Sequence, residues 1–277
     1  MSSLIDPLAH GFIWRAFLTA IMVGIICPIL GSYVILRGMA FLGDALAHII
    51  LPGVIMAYML GWPLVVGALL VGVLAAVGIG ALSEASAIRE DTAIGIIFAG
   101  SFALGIAMIS TQNNYAVDLS HILFGNILAV SQQDIWLTLA LGLFVLTTVF
   151  IFYKEFLVLA FDPKLAVVLR LPERFLHYLL SILIAVTIVT SLQTVGVTLV
   201  LAMLVTPAAT AQLFTRRLPT MMLAAATIGV IANITGLYVS LHLDIAAGPA
   251  MVLVATAIFG VAFVLSLRKT NTPVAEG

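Results

Sequence analysis

The chain has 277 residues, 63% of them hydrophobic and only 8% charged, with a formal net charge of −1. A soluble globular domain is about a quarter charged, so lipid is the solvent of this chain. No hydrophilic stretch is long enough for a second aqueous domain, and the near-neutral charge carries no nucleic-acid signal.

The N-terminal run Met1-Ser2-Ser3-Leu4-Ile5-Asp6 lacks a positive n-region and a small-residue cleavage site. The first apolar segment is therefore expected to stay in the mature protein. A helix needs about 20 apolar residues to cross a bilayer. Such windows fall near 12–36, 40–60, 63–83, 93–110, 134–153, 176–193, 196–213, 219–239 and 247–266. None alternates as the strands of a membrane barrel do. The expected fold is all-α, a polytopic helical bundle forming one transmembrane domain over 1–277. Gly38, Gly61-Trp62-Pro63, Gln193 to Gly196, Pro219 and Gly248-Pro249 separate the windows.

Basic residues favour the cytoplasm. Arg37, Arg89, Lys154, Lys164, Arg170, Arg174, Arg216, Arg217, Arg268 and Lys269 all fall in gaps two windows apart, which leaves only Arg15 on the other side. That parity predicts nine crossings, with an outer N-terminus and a cytoplasmic C-terminus. Eight crossings are the alternative, because the break at 37–39 is tight. Cys27 lies in an apolar run and reads as a small buried hydrophobe.

Two segments are too short to span. His121 to Val130 is apolar for ten residues and is expected to re-enter the bundle or lie on its outer surface. The second is Asp162-Pro163-Lys164-Leu165-Ala166-Val167-Val168-Leu169-Arg170, on the cytoplasmic side. Asp162 suits a helix N-cap, Pro163 the first helical position, and Pro172 a stop. A short amphipathic helix held at that surface is a docking element for another protein. In the later window, small residues between Leu201 and Ala211 favour close helix approach, and Pro207 interrupts the local hydrogen-bond ladder.

The chain has no Walker A loop, no HExxH, no cysteine pair and no GxSxG elbow. It is therefore not expected to hydrolyse ATP itself or to act as an intramembrane protease. His10 precedes the first window and reads as interfacial, and His177 as a surface residue. His242 with Asp244 reads as a solvated outer turn, with a contact to an incoming ion as the alternative. For His121, near Asp118 and Ser120, a hydrogen-bonded cap and a pathway role stand level. Asp44 and His48 differ from all of these. They sit one helical turn apart on one face of an apolar stretch, where ionisable groups are functional candidates. A carboxylate and an imidazole suit a divalent first-row metal ion, and protons compete for such a site. The competing reading is a hydrogen bond between the two that fixes helix packing. Two donors do not close a metal site of about four to six ligands; a twofold dimer supplies two Asp and two His.

The run Arg37-Gly38-Met39-Ala40-Phe41-Leu42-Gly43-Asp44-Ala45-Leu46-Ala47-His48 resembles the signature of the membrane subunit of metal-cation ABC importers, the ABC-3 family. Asp91 to Ile96, His121 to Val130, Leu204 to Ala211 and Ala246 to Pro249 resemble further blocks in the family's order. The resemblance implies a homodimeric permease in a prokaryotic plasma membrane, served by an extracytoplasmic metal-binding protein and driven by a separate ATPase subunit. It implies that Asp44 and His48 transiently coordinate the transported metal, and that Asp162 to Arg170 form the helix coupled to the ATPase. No permanently bound cofactor is implied. The block ending Phe124-Gly125-Asn126-Ile127-Leu128 looks more like manganese-carrying members, with iron or zinc as the alternatives. A proton-coupled secondary transporter is the competing class, weakened because Asp44 is the sole carboxylate well inside a window.

Overall fold

The computed structural model describes residues 11–85, 88–111 and 127–270. Twelve α-helices and one short 3₁₀ turn make up the described chain. In order they are α1 (Gly11–Leu36), α2 (Ala40–Ile49), α3 (Leu51–Leu60), α4 (Leu64–Ala85), α5 (Glu90–Ser110), the 3₁₀ turn Ile127–Ala129, α6 (Gln132–Ile151), α7 (Tyr153–Phe161), α8 (Pro163–Val168), α9 (Glu173–Val195), α10 (Val197–Gln212), α11 (Leu218–Leu243) and α12 (Ala247–Thr270). Lipid offers the backbone no hydrogen-bond partner, so apolar segments of this length close their bonds internally as helices.

Eight described segments are long and apolar enough to cross a membrane, with α2 and α3 counted together as Ala40–Leu60. The ninth window is α10, only 16 residues, about 24 Å of helix. It nevertheless joins the two ends of the bundle. Its start lies beside the outer end of α12, where Gly248 faces the Val195 carbonyl. Its Ala208 and Ala211 pack beside Ile35 and Leu36 at the C-terminal end of α1. The tight break at 37–39 is a true turn, since Gly38 adopts φ 68° and the Met39 N–H donates to the Val34 carbonyl at 2.9 Å. A left-handed residue at that position is the usual way to end a helix.

α1 is the central helix. It packs against α6, α9, α10 and α11, and its Leu30, Tyr33 and Val34 are fully buried. Asn233 on α11 donates its side-chain N–H to the Ala20 carbonyl at 2.8 Å, and Cys27 lies 3.3 Å from the Ser191 hydroxyl of α9. Cys27 is buried, as its apolar surroundings predicted. Pro207 lies inside α10 without ending it. The carbonyl that Pro207 leaves without a donor is that of Met203, four residues earlier, while the Thr210 hydroxyl donates to the Thr206 carbonyl at 2.7 Å.

The segment from Asp162 to Arg170 forms the expected cap and helix. Asp162 accepts the Leu165 N–H at 3.2 Å, and Pro163 opens α8. The helix then unwinds through Arg170 at φ 55°, and Pro172 caps α9. Of the segment from His121 to Val130, only Ile127 onward lies within the described residues, as the 3₁₀ turn followed by Val130. His10, Asp118, Ser120, His121 and Asn126 lie outside them.

Candidate metal-conducting site

The span Ala40–Leu60 is broken in the middle because Pro52 has no N–H for the His48 carbonyl and its ring clashes with that turn. α2 ends at Ile49 and α3 restarts at Leu51. The interruption is a single residue, Ile50, whose backbone stays in the right-handed helical region and whose N–H still reaches the Leu46 carbonyl. Asp44 and His48 lie on α2, about 6 and 12 Å from its first residue.

The two side chains share one face, as their spacing predicted, but they are not hydrogen-bonded to each other. His48 Nδ1 is 3.8 Å from the Asp44 carboxylate and 2.9 Å from the Asp44 main-chain carbonyl. A carbonyl only accepts, so Nδ1 carries the proton and Nε2 keeps its lone pair. That tautomer leaves Nε2 able to ligate a metal, with a backbone carbonyl holding the other nitrogen. No hydrogen bond joins the two side chains, although 3.8 Å leaves them at ion-pair distance. The side chains of Asp44 and His48 remain 39% and 29% exposed on the surface of the single chain.

An aromatic wall from α5 stands behind the imidazole. The rings of Phe98 and Phe102 lie 5.8 Å from the His48 ring at near-perpendicular angles, and Phe41 of α2 flanks Phe98 edge-on. Edge-to-face contacts of this type contribute about 0.5–1.5 kcal/mol each, enough to hold the ring in one orientation. The arrangement presents an anionic oxygen donor and a neutral nitrogen donor from one firmly placed turn. Among the described residues no group of three or more His, Cys, Asp or Glu side chains is arranged to hold a metal ion.

His242 is exposed at the outer end of α11, with Nδ1 2.9 Å from the Tyr238 carbonyl, and Asp244 caps the helix in the left-handed conformation. They do not join Asp44 and His48. His177 differs from its surface expectation: its side chain is 13% exposed, inserted between Arg37 and Glu90. Helix-terminal basic residues normally extend into water; here α1, α5 and α9 converge and bury the group instead. Burial pushes the Arg37 guanidinium below the usual arginine range, opposed by the Glu90 and Glu173 carboxylates. The sequence signal for this cluster is slight, because its three members are far apart in the chain.

Residues 9–266 match the model of the ABC 3 transport family. The chain is 49% identical over 262 residues to the manganese transport system membrane protein MntC of Halalkalibacterium halodurans, covering 95% of this chain and 90% of that protein. It is 42% identical over 268 residues to the chelated iron transport system membrane protein YfeD of Yersinia pestis, covering 97% and 90%. Among solved structures it resembles PsaBC from Streptococcus pneumoniae in complex with Fab, with a TM-score of 0.85, 41% identity and 95% of each chain covered. A bundle of apolar helices, a broken helix carrying the acid–imidazole pair, and a match over nearly the full length together place this chain in the ABC 3 transport family, as a multi-pass permease of the prokaryotic plasma membrane.

Proposed function

We propose that the chain conducts manganese inward as the permease subunit of an ATP-driven importer, with Asp44 and His48 as the transient stop of the ion. The observation that carries this reading is the bond from His48 Nδ1 to the Asp44 carbonyl, which leaves Nε2 as the free nitrogen, beside a part-exposed Asp44 carboxylate. The manganese system relatives favour that metal, and the iron system relative keeps iron as the second reading. ATP hydrolysis belongs to a separate ATPase subunit, and an extracytoplasmic binding protein delivers the ion.

A second copy of the chain completes the site in this reading. A carboxylate facing hydrocarbon is costly, and Asp44 is more than a third exposed on the single chain. Facing another copy across a twofold axis, it meets its equivalent and two imidazoles instead. Four such donors hold a divalent ion weakly enough to release it, which conduction demands. Asp44 offsets the charge of the partly dehydrated ion, and His48 adds a neutral donor. The test is manganese accumulation in cells lacking other importers, with this chain supplied together with its ATPase and binding protein. Uptake dependent on all three supports the proposal; ATP-independent uptake by the purified chain under a proton gradient would overturn it.

We assign the docking of the ATPase to Asp162, Pro163, Lys164, Leu165, Ala166, Val167, Val168, Leu169 and Arg170. Val168 and Leu169 are 76% and 53% exposed at the cytoplasmic surface, while Ala166 is buried and anchors the helix. Apolar side chains left in water beside a structured anchor are characteristic of an interface. The double substitution Val168→Asp and Leu169→Asp should weaken co-purification of the ATPase by about tenfold or more while the permease still inserts. Undiminished co-purification and undiminished ATP-coupled uptake would reject the assignment.

A further inference from the structure

Between the Asp44 turn and the cytoplasm lies a polar cluster that ion coordination does not use. Arg37 Nη2 donates to His177 Nδ1 at 2.8 Å, and His177 Nε2 faces Glu90 Oε1 at 3.6 Å. Guanidinium only donates, so His177 carries its proton on Nε2, directed at the carboxylate. This is the opposite tautomer to that of His48. With its Nε2 lone pair engaged by a proton and a guanidinium at its other nitrogen, His177 is not a second stop for the cation. It is a bridge between a cation and an anion.

The bridge joins three elements. Arg37 belongs to the turn between α1 and α2, seven residues before Asp44; Glu90 opens α5, which carries Phe98 and Phe102; His177 lies in the first turns of α9. α9 begins directly after the α8 segment, with Pro172 as its cap. Only the four residues Leu169 to Pro172 separate α8 from α9, so His177 stands a short stretch of chain from α8. Beside the bridge, Arg174 lies 3.5 Å from Glu84 and ties α9 to the end of α4.

The bridge is also incompletely satisfied. Arg37 Nη1 and Glu90 Oε1 are buried without a hydrogen-bond partner within reach. A fully satisfied buried network would favour one rigid state, whereas a half-satisfied one is costly to keep and easily exchanged for hydration. Such a contact suits a bistable element better than a permanent staple.

We propose that the Arg37–His177–Glu90 bridge is a cytoplasmic latch. It holds the inner ends of α2, α5 and α9 together below the ion stop, and motion of α8 opens it by drawing His177 away. This inference rests on the permease reading and on α8 as the ATPase contact. The test uses the complete complex of permease, ATPase and binding protein in liposomes. His177→Leu removes both contacts, whereas His177→Gln keeps an acceptor for Arg37 and an N–H for Glu90. Leucine should raise ATP hydrolysis in the absence of binding protein by about tenfold, a typical coupling factor, and lower manganese imported per ATP. Glutamine should restore both towards the parent values. Glu90→Gln, which preserves shape and removes the charge, should also raise basal hydrolysis, so the proposal stays testable if the leucine variant fails to assemble.

Unchanged basal hydrolysis in assembled His177→Leu, or in Glu90→Gln where leucine does not assemble, would overturn the latch. So would a glutamine variant as uncoupled as leucine. If the parent complex itself neither imports manganese nor responds to its binding protein, the permease reading fails first and the latch with it.

Discussion

Replacing Asp44 with alanine should abolish manganese uptake while leaving the permease folded and assembled. The side chain is 39% exposed, 3.8 Å from the nearest His48 nitrogen and outside hydrogen-bond distance of it. Its removal opens no apolar cavity in the single chain and breaks no side-chain hydrogen bond to His48. The expected defect is therefore in transport alone. Loss of groups that merely support a metal ligand costs about 10–100-fold, and a proposed ligand contributed twice by a dimer should cost at least about 100-fold. Asp44→Asn separates charge from shape. It retains one oxygen donor but leaves the dehydrated dication uncompensated, so uptake should fall nearly as far. His48→Ala should be milder, because a neutral donor is lost and the negative charge remains. Metal content of cells lacking other importers measures the effect, with protein abundance and ATPase co-purification as controls. Parental uptake by Asp44→Ala at parental abundance would remove the assignment of this pair.

The pair is legible in the sequence because its surroundings are so apolar. An acid and an imidazole four residues apart stand out where each ionisable group is costly, and helical spacing alone puts them on one face. Their tautomer and their independence from each other are not legible, since both depend on which backbone carbonyl the ring reaches. The helix windows are legible for a related reason: lipid permits few alternatives to a helix. The basic residues supply the parity, and the short α10 fits it by joining opposite ends in 16 residues. The Arg37–His177–Glu90 bridge escapes sequence reading. Its members lie at separate helix ends, with 140 positions between Arg37 and His177, and each taken alone looks like a solvated terminus. Only the convergence of α1, α5 and α9 buries them together. Pro52 is not among the breakers that separate the windows, and only the fold shows that it ends the turn carrying His48.

Gly31→Ala should be the most destabilising single-methyl change in the central helix, and it should reach the ion site. A Cβ at Gly31 would lie 1.7 Å from the Leu204 carbonyl oxygen and 2.8 Å from its carbon, so the obstacle is backbone rather than a movable side chain. α1 and α10 must separate to admit it. Overpacking of a core costs about 1–3 kcal/mol when side chains give way, and more when a main chain must move. The damage spreads in a definite direction: the Leu204 side chain is also what a Cβ at Gly43 would strike, at 2.8 Å, so this leucine sets the spacing between α10 and the turn of Asp44. Pushing α10 from α1 therefore shifts the residue that seats α2. Gly260→Ala is the control, because nothing lies within 4 Å of its Cβ position on α12. Alanine in a helix is favoured over glycine by about 1 kcal/mol, so that variant should be neutral or slightly stabilised. Thermal unfolding of the detergent-solubilised protein, read beside manganese uptake, checks both. Gly31→Ala should unfold at a lower temperature and lose transport together, while Gly260→Ala keeps both. A Gly31→Ala protein as stable as its parent would mean that α1 and α10 do not approach as closely as the fold requires, and the seat of Asp44 would have to be sought in another contact.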